Sequence, residues 1–445
     1  MKKILSIIVC MSCCNFIAAQ VSLQQLKDSA RLNNIALRTA RLDIEAASQQ
    51  HKEAFTKYFP TVSATGLTFN ANKGMAQMDI NPAEMVPSSL VPTLAQMLPI
   101  EALAALQNPI SISMMKNGTV AGITAVQPVF AGGQIVNGNR LAKVGEDVSR
   151  LKLQLSENEV DLQTEQYYWQ LVSLQEKMKT IEAVQALLAD IHKDVDVSVR
   201  AGVAMKNDLL QIQLRQNDVE SQKLKVQNGI DIVRLLLAQY CGLSSDNFTV
   251  SVGDDTDVAS VPQQHDRQQA LLQTAEYQLL QKQVEATRLQ TKMEIGKNLP
   301  SLAVGAGYNY HNLLDNNRSF GMLFATVSVP ISDWWGGSHS IRRKKIAQQQ
   351  AEEQLADNAQ LLNIRMQNAY NAVNEARQQF LISQRSIEQA EENLRLNRNY
   401  YRAGTSKMSD LLEAQLLYQQ TLDKRTDAFA DLQIKQLEYR QTIGQ

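Results

Sequence analysis

Cysteine is nearly absent from the body of the chain. Cys10, Cys13 and Cys14 lie within the first fourteen residues, and Cys241 stands alone in the rest. No internal disulfide can hold the mature fold together. Aromatic residues make up only 6% of the sequence, few for a compact core. Gln, Asn, Ala and Leu abound instead, as in long helices with much wetted surface. The formal charge of −1 implies no bulk attraction to nucleic acid, and no nucleic-acid partner is expected. Nothing after residue 20 has eighteen consecutive apolar residues, which argues against a transmembrane helix. If this chain enters a membrane, it must do so as strands closed into a barrel, where every backbone hydrogen bond is satisfied.

Catalytic signatures are also missing. His51, His192, His265, His311 and His339 are scattered, with no HExxH and no Cys/His metal spacing. There is no GxxxxGK[ST] phosphate loop and no GxSxG elbow. The reading is of a non-enzyme with no catalytic residue, no metal ligand and no cofactor.

The N-terminus, "MKKILSIIVCMSCCNFIAAQ", has two lysines, a short apolar run and small residues near Ala18 and Ala19. That is a secretory signal peptide over residues 1–19, cut before Gln20. A lipid anchor would fall on Cys13 or Cys14, although the preceding Met-Ser is a poor match to the usual small-residue context.

The remainder is a duplication, the feature to look for first. "RAGVAMKNDLLQIQL" from Arg200 returns as "RAGTSKMSDLLEAQL" from Arg402, with glycines and aspartates at one constant offset. "YFPTVSATGLTFN" from Tyr58 resembles "NLPSLAVGAGYNY" from Asn298, and Pro128 and Pro330 each stand before a Gly-Gly pair. A first repeat over 20–242, with a strand hairpin at 61–128, a linker over 243–264, and a second repeat over 265–445, with a strand hairpin at 301–330, are expected. Leu362, Met366, Ala369, Val373, Ala376, Phe380, Ser383, Ile387, Ala390 and Leu394 alternate spacings of four and three, a coiled-coil seam. A helix from about Ser338 to Tyr401 would be roughly 95 Å long. Gly202 and Gly404 can take positive φ and end such helices, and Asn207 and Ser409 are plausible N-caps for the returning ones. Each repeated turn is then the tip of a long helical hairpin.

The strand segments alternate. Leu302, Val304, Ala306, Tyr308 and Tyr310 oppose Ala303, Gly305, Gly307 and Asn309, and Leu323, Ala325 and Val327 oppose Met322, Phe324 and Thr326. Ten-residue segments with an apolar face and aromatic ends look like outer-membrane barrel strands. Four strands cannot close a barrel, so oligomerisation is required: two copies give eight strands, three give twelve. The first hairpin's surplus, loop 70–118, is rich in proline and methionine (Met75, Met78, Met85, Met97, Met114, Met115). Soft Cu(I) ligation is one reading of these methionines; adaptable apolar filling near a membrane is the preferred one.

Signal peptide, duplicated halves, Pro-strand junctions and the "RAGVAMKNDLL" and "RAGTSKMSDLL" turns resemble the TolC-type outer-membrane efflux protein family over essentially the whole mature chain. The resemblance implies a mainly α fold with a β-barrel part: a homotrimer with a twelve-stranded outer-membrane barrel, four transmembrane strands per protomer, and a helical periplasmic tunnel. It implies an exit duct in the outer membrane of a Gram-negative bacterium, in contact with outer-membrane lipid and serving a tripartite efflux pump or type I secretion system. Its partners would be a periplasmic adaptor and an inner-membrane transporter of RND, ABC or MFS type. On the same footing, Ala201, Gly202, Val203, Ala403, Gly404 and Thr405 match the adaptor-binding tips, and Asp410 and Glu413 match the carboxylate rings of the constriction. Tyr401 matches the latch tyrosine, with Asp208 and Asn207 as its partner side. The family's latch arginine is replaced by Ser406, with Lys407 beside it. Helix-start chemistry is the alternative account of Asp410, since acids favour a first turn and Asp208 repeats it. The rival function is a periplasmic coiled-coil adaptor or tether without channel activity.

Overall fold

The computed structural model describes residues 19–90, 92, 97, 99, 102, 108–244, 248–250, 264–313, 316–331 and 333–445. The signal peptide short of Ala19, with its three cysteines, lies outside the described residues, as do most of the 243–264 linker and much of the outer loop between 91 and 107. In chain order the elements are β1 (Ala19–Val21), α1 (Leu23–Asn33), α2 (Ile35–Thr56), β2 (Thr61–Asn70), β3 (Ala76–Ile80), β4 (Ile110–Met114), β5 (Asn117–Ala131), α3 (Gln134–Arg200) and α4 (Lys206–Cys241). There follow β6 (Phe248–Val250), α5 (Arg267–Gln273), α6 (Ala275–Lys297), β7 (Ser301–Leu313), β8 (Asn316–Ser328), α7 (Asp333–Arg402) and α8 (Met408–Thr442). Helix dominates, and among the described residues no helix is long and apolar enough to cross a membrane.

The chain divides into two compact units. One comprises Met1–Gln49, Lys143–Ala286 and Gln349–Gln445; the other comprises Gln50–Ala142 and Thr287–Gln348.

The first unit is helical. Along α7 the heptad seam is where the sequence puts it: Met366, Val373, Ala376, Phe380, Ser383 and Ala390 are buried. Met366, Val373, Ala376 and Phe380 pack with Leu432 and Tyr439 of α8 and with Ala270 and Leu271 of α5. The first hairpin repeats the plan, with Ile181, Val184 and Leu188 of α3 against Val219 of α4, and α1 in the place of α5. Leu26 and Ala30 of α1 join Leu171, Leu237 and Cys241 in the main core. Full burial of a leucine contributes about 1.5–3 kcal/mol, so hydrophobic seams rather than helix propensity hold these hairpins. Two ion pairs fix α1 in register on α3: Lys27 with Glu165 at 2.6 Å, and Arg31 with Asp161, whose Oδ1 accepts from Arg31 Nε at 3.0 Å.

The second unit is built on an antiparallel sheet ordered β2-β5-β7-β8. Its register puts Val304 opposite Ala325 and Ala306 opposite Leu323, and Ile123 opposite Tyr308. The apolar positions of neighbouring strands therefore share one face. Leu323 on that face is 87% exposed. The opposite face is made of small residues in β7, and the Phe324 ring lies over Gly305, where even a Cβ would stand 2.2 Å from it. The first strand hairpin differs from expectation. β5 runs past Pro128 to Ala131 with a register shift between Pro128 and Phe130, because a proline with no N–H disrupts the ladder without ending it. The two Gly-Gly pairs also differ. Gly132 and Gly133 have positive φ, and a Cβ on Gly132 would meet the Gly296 backbone at 2.0 Å, whereas Gly336 and Gly337 lie inside α7. Loop 70–118 contains its own short ladder, β3 with β4, an element the Met/Pro composition does not announce.

Candidate functional site

The two repeated turns are closed by the same pair of backbone bonds. At the first, Gly202 (φ 77°) donates to the Val199 carbonyl at 3.0 Å and Val203 N–H reaches Ser198 O at 2.9 Å. At the second, Gly404 (φ 71°) donates to Tyr401 O at 3.0 Å and Thr405 N–H reaches Tyr400 O at 2.9 Å. This is the left-handed helix stop that glycine adopts without steric cost. Ala201, Gly202, Val203, Ala403, Gly404 and Thr405 are all exposed. A Cβ on either glycine would meet nothing within 4 Å, so backbone shape alone requires glycine there.

The returning helices start two residues earlier than the sequence suggested. Met205 and Lys407 occupy the N-cap positions, and Asn207 and Ser409 lie inside the first turn. Burial decides this for α8: Met408 and Leu411 are both buried in the tip core with Ile191, Val195 and Ile212, which draws residue 408 into the helix. Capping passes to the third helical position. Asp410 Oδ2 accepts from the Lys407 backbone N–H at 3.2 Å and from Ser406 Oγ at 3.0 Å, and Ser409 Oγ donates to Oδ1 at 3.2 Å. These donors, the Lys407 amide foremost, hold the Asp410 carboxyl below the usual carboxylate range, as expected when hydrogen bonds favour the charged form. Asp410 therefore performs helix-start chemistry. Glu413, one turn on, is exposed.

Both hairpins belong to the first unit, and their ends meet. Tyr401 Oη donates to Asp208 Oδ2 at a long 3.5 Å. Burial first, and the Asp208 charge second, push the Tyr401 phenol up to about 12. Asn207 is exposed and its side chain makes no hydrogen bond among the described residues, so the expected partner side reduces to Asp208. Ser406, where the family's latch arginine would stand, turns to Asp410 on its own hairpin, and among the described residues Lys407 Nζ forms no ion pair. At the tips a different cation bridges the hairpins: Arg402 pairs with Asp194 of α3 at 3.0 Å, while farther along Lys177 of α3 pairs with Asp427 of α8 at 2.8 Å. Sequence reading missed the role of Arg402. Its repeat counterpart Arg200 instead pairs with Asp196 on its own helix, so the duplicated Arg-Ala-Gly conceals two different roles.

Farther along the same interface, Arg215 of α4 donates from Nε to Gln415 Oε1 at 3.1 Å and from Nη2 to Gln419 Oε1 at 3.0 Å. Gln419 continues to Gln222 at 3.0 Å. Burial pulls the Arg215 pKa down, and Gln415 is fully buried with its Nε2 unsatisfied among the described residues. A cleft of about 960 Å³ lies at the tips, lined by Asp194, Val203, Asp208, Tyr401, Gly404 and Ser406 among others. Among the described residues no group of His, Cys, Asp and Glu is arranged to hold a metal ion.

Comparison with known proteins gives one consistent answer. Residues 266–445 match the outer membrane efflux protein family. No curated protein matches the sequence. Among solved structures, the chain is similar to the outer-membrane channel OprN, with TM-score 0.77 and 15% identity over 95% of this chain and 89% of that one. It is similar to CusC, a transmembrane-channel-forming protein, with TM-score 0.79 and 14% identity over 96% and 93%. It is also similar to the Campylobacter jejuni CmeC outer membrane channel, with TM-score 0.74 and 15% identity over 95% and 85%. Residues 266–445 thus match the outer membrane efflux protein family, and the chain as a whole shares the fold of these outer-membrane channels, as its resemblance to the TolC-type proteins implied.

Proposed function

We propose that this protein is the outer-membrane channel of a tripartite efflux or type I secretion system. It is a passive, gated exit duct of a Gram-negative bacterium that extends into the periplasm. The observation that carries this reading is the four-stranded sheet. It is open at both edges, β2 and β8, and presents an apolar face with no covering element among the described residues. An open edge leaves backbone groups unpaired, and within a bilayer they must be satisfied by closure. Three copies bring twelve strands, enough for a barrel with an aqueous lumen. The exposed tips around Gly202 and Gly404 receive a periplasmic adaptor, which couples the duct to an inner-membrane transporter that supplies the energy.

Rings of Asp410 and Glu413 from three copies favour cations at the constriction. Tyr401–Asp208 and Arg402–Asp194 hold the two hairpin ends together in the resting state. The mass of the purified, detergent-extracted protein tests the assembly. Three copies that require detergent are expected. A mature chain that stays monomeric and water-soluble would sink the duct and favour a periplasmic tether.

A further inference from the structure

We infer that the helical collar of the second unit is a docking surface for the headgroups of anionic phospholipids. The inference rests on the membrane reading of the strands. Register aligns Thr61 with Val126, and Ser301 with both Ala131 and Ser328, so all four strand–helix junctions lie at one end of the sheet. Residues 50–59, 134–142, 287–298 and 333–348 form the helical flanks of those junctions within this unit. They contain ten lysines and arginines against three acids, a net of seven positive charges in a chain whose overall balance is −1.

Part of this charge is held internally and part is not. Glu294 is bonded to Ser340 at 2.6 Å and to Lys297 at 2.9 Å, and Lys344 donates to Gln290 at 3.1 Å. Lys52, Lys57, Arg140, Arg342, Arg343 and Lys345 are exposed and have no ion-pair partner among the described residues. Lys52, Lys57 and Arg140 lie within nine residues of a strand end, and Arg342, Arg343 and Lys345 within seventeen, roughly 25 Å at the helical rise.

Interleaved with these charges, near the strand ends, are exposed aromatic side chains. Phe55 and Phe59 stack edge to face on α2 and the turn that follows it, Phe130 is the penultimate residue of β5, and Trp335, 79% exposed, lies in the first turn of α7. Aromatic residues at the headgroup level, with basic side chains just outside them, are how a protein grips a membrane–water interface. Neutral lipid would satisfy the rings, but six exposed cations without an ion-pair partner among the described residues call for phosphate without a compensating cation. The "RRKK" run at 342–345 provides the densest part of the surface.

The test uses the full-length purified protein with two vesicle types, phosphatidylcholine alone and phosphatidylcholine with phosphatidylglycerol. Insertion into the neutral vesicles, read by flotation, checks the membrane reading separately. The proposal predicts that inserted wild type retains phosphatidylglycerol over phosphatidylcholine through delipidation. It also predicts that Arg342→Gln/Arg343→Gln/Lys345→Gln lowers that preference about tenfold or more while still inserting, and that Lys152→Gln/Lys225→Gln leaves it unchanged. Raising salt should weaken the wild-type preference. Normal insertion without lipid preference, or a preference that survives the triple substitution and high salt, overturns the proposal; the former would leave the collar to an acidic protein partner. Failure of wild type to enter neutral vesicles would defeat the membrane reading itself.

Discussion

Single residues at the tips set the conditions under which the hairpin ends stay joined. Tyr401 is held near Asp208 in its neutral form. Its folded pKa of about 12 lies above the ordinary tyrosine value of about 10, so its contribution is fully present below about pH 10 and is lost as pH rises through the folded value. Hydrogen exchange at residues 399–410 should accelerate across that window in wild type, and Tyr401→Phe should remove the transition; an unchanged profile would exclude the contact. At the acid end the sign reverses. The depressed Asp410 carboxyl stabilises the start of α8 at neutral pH and loses that role only as pH falls through its lowered value. Buried Cys241, whose thiol is pushed up to about 12 by burial, should resist iodoacetamide in the native protein and react once it is unfolded, because the thiolate is the nucleophile. Rapid native alkylation would mean the α4 end is open.

At the scale of elements, the repeated turn is the most demanding piece of backbone. A left-handed conformation costs a non-glycine residue about 1–2 kcal/mol. Gly404→Ala should therefore speed hydrogen exchange at the second tip roughly tenfold, and Gly202→Ala should do the same at the first, with no effect on the seams. Leu188→Ala, in the α3–α4 seam, should instead destabilise the hairpin itself by about 2–5 kcal/mol, measured by urea unfolding. Equal effects from tip and seam changes would contradict this division.

The seams were legible because a heptad is a local pattern. Met366, Val373 and Phe380 announce their burial by spacing alone. The stops were legible because Arg-Ala-Gly recurs. The starts were not, since Asn207 and Ser409 have the right chemistry for caps while the demand to bury Met408 and Leu411 moved the boundary. Arg402–Asp194 and the Arg215–Gln415–Gln419 chain were invisible for a different reason: they join residues about two hundred positions apart, and no local pattern encodes which repeat's arginine will reach across.

At the scale of the whole molecule, one chain carries each part twice: two hairpins, two tips, two strand pairs. The alternation in β7 and β8 foretold which residues share the apolar face, and the register placed them together. Closure is a property of several copies, and it is inferred from the two open edges and from the shared fold of outer-membrane channels. If the duct is gated where the tips converge, the carboxylates of α8 must shape what passes.

Single-channel conductance of the purified protein in planar bilayers, wild type beside Asp410→Ala/Glu413→Ala, tests this most directly. The account predicts a small, cation-selective conductance that grows or loses its selectivity in the double variant. Folded, inserted protein that conducts nothing in either form would contradict it.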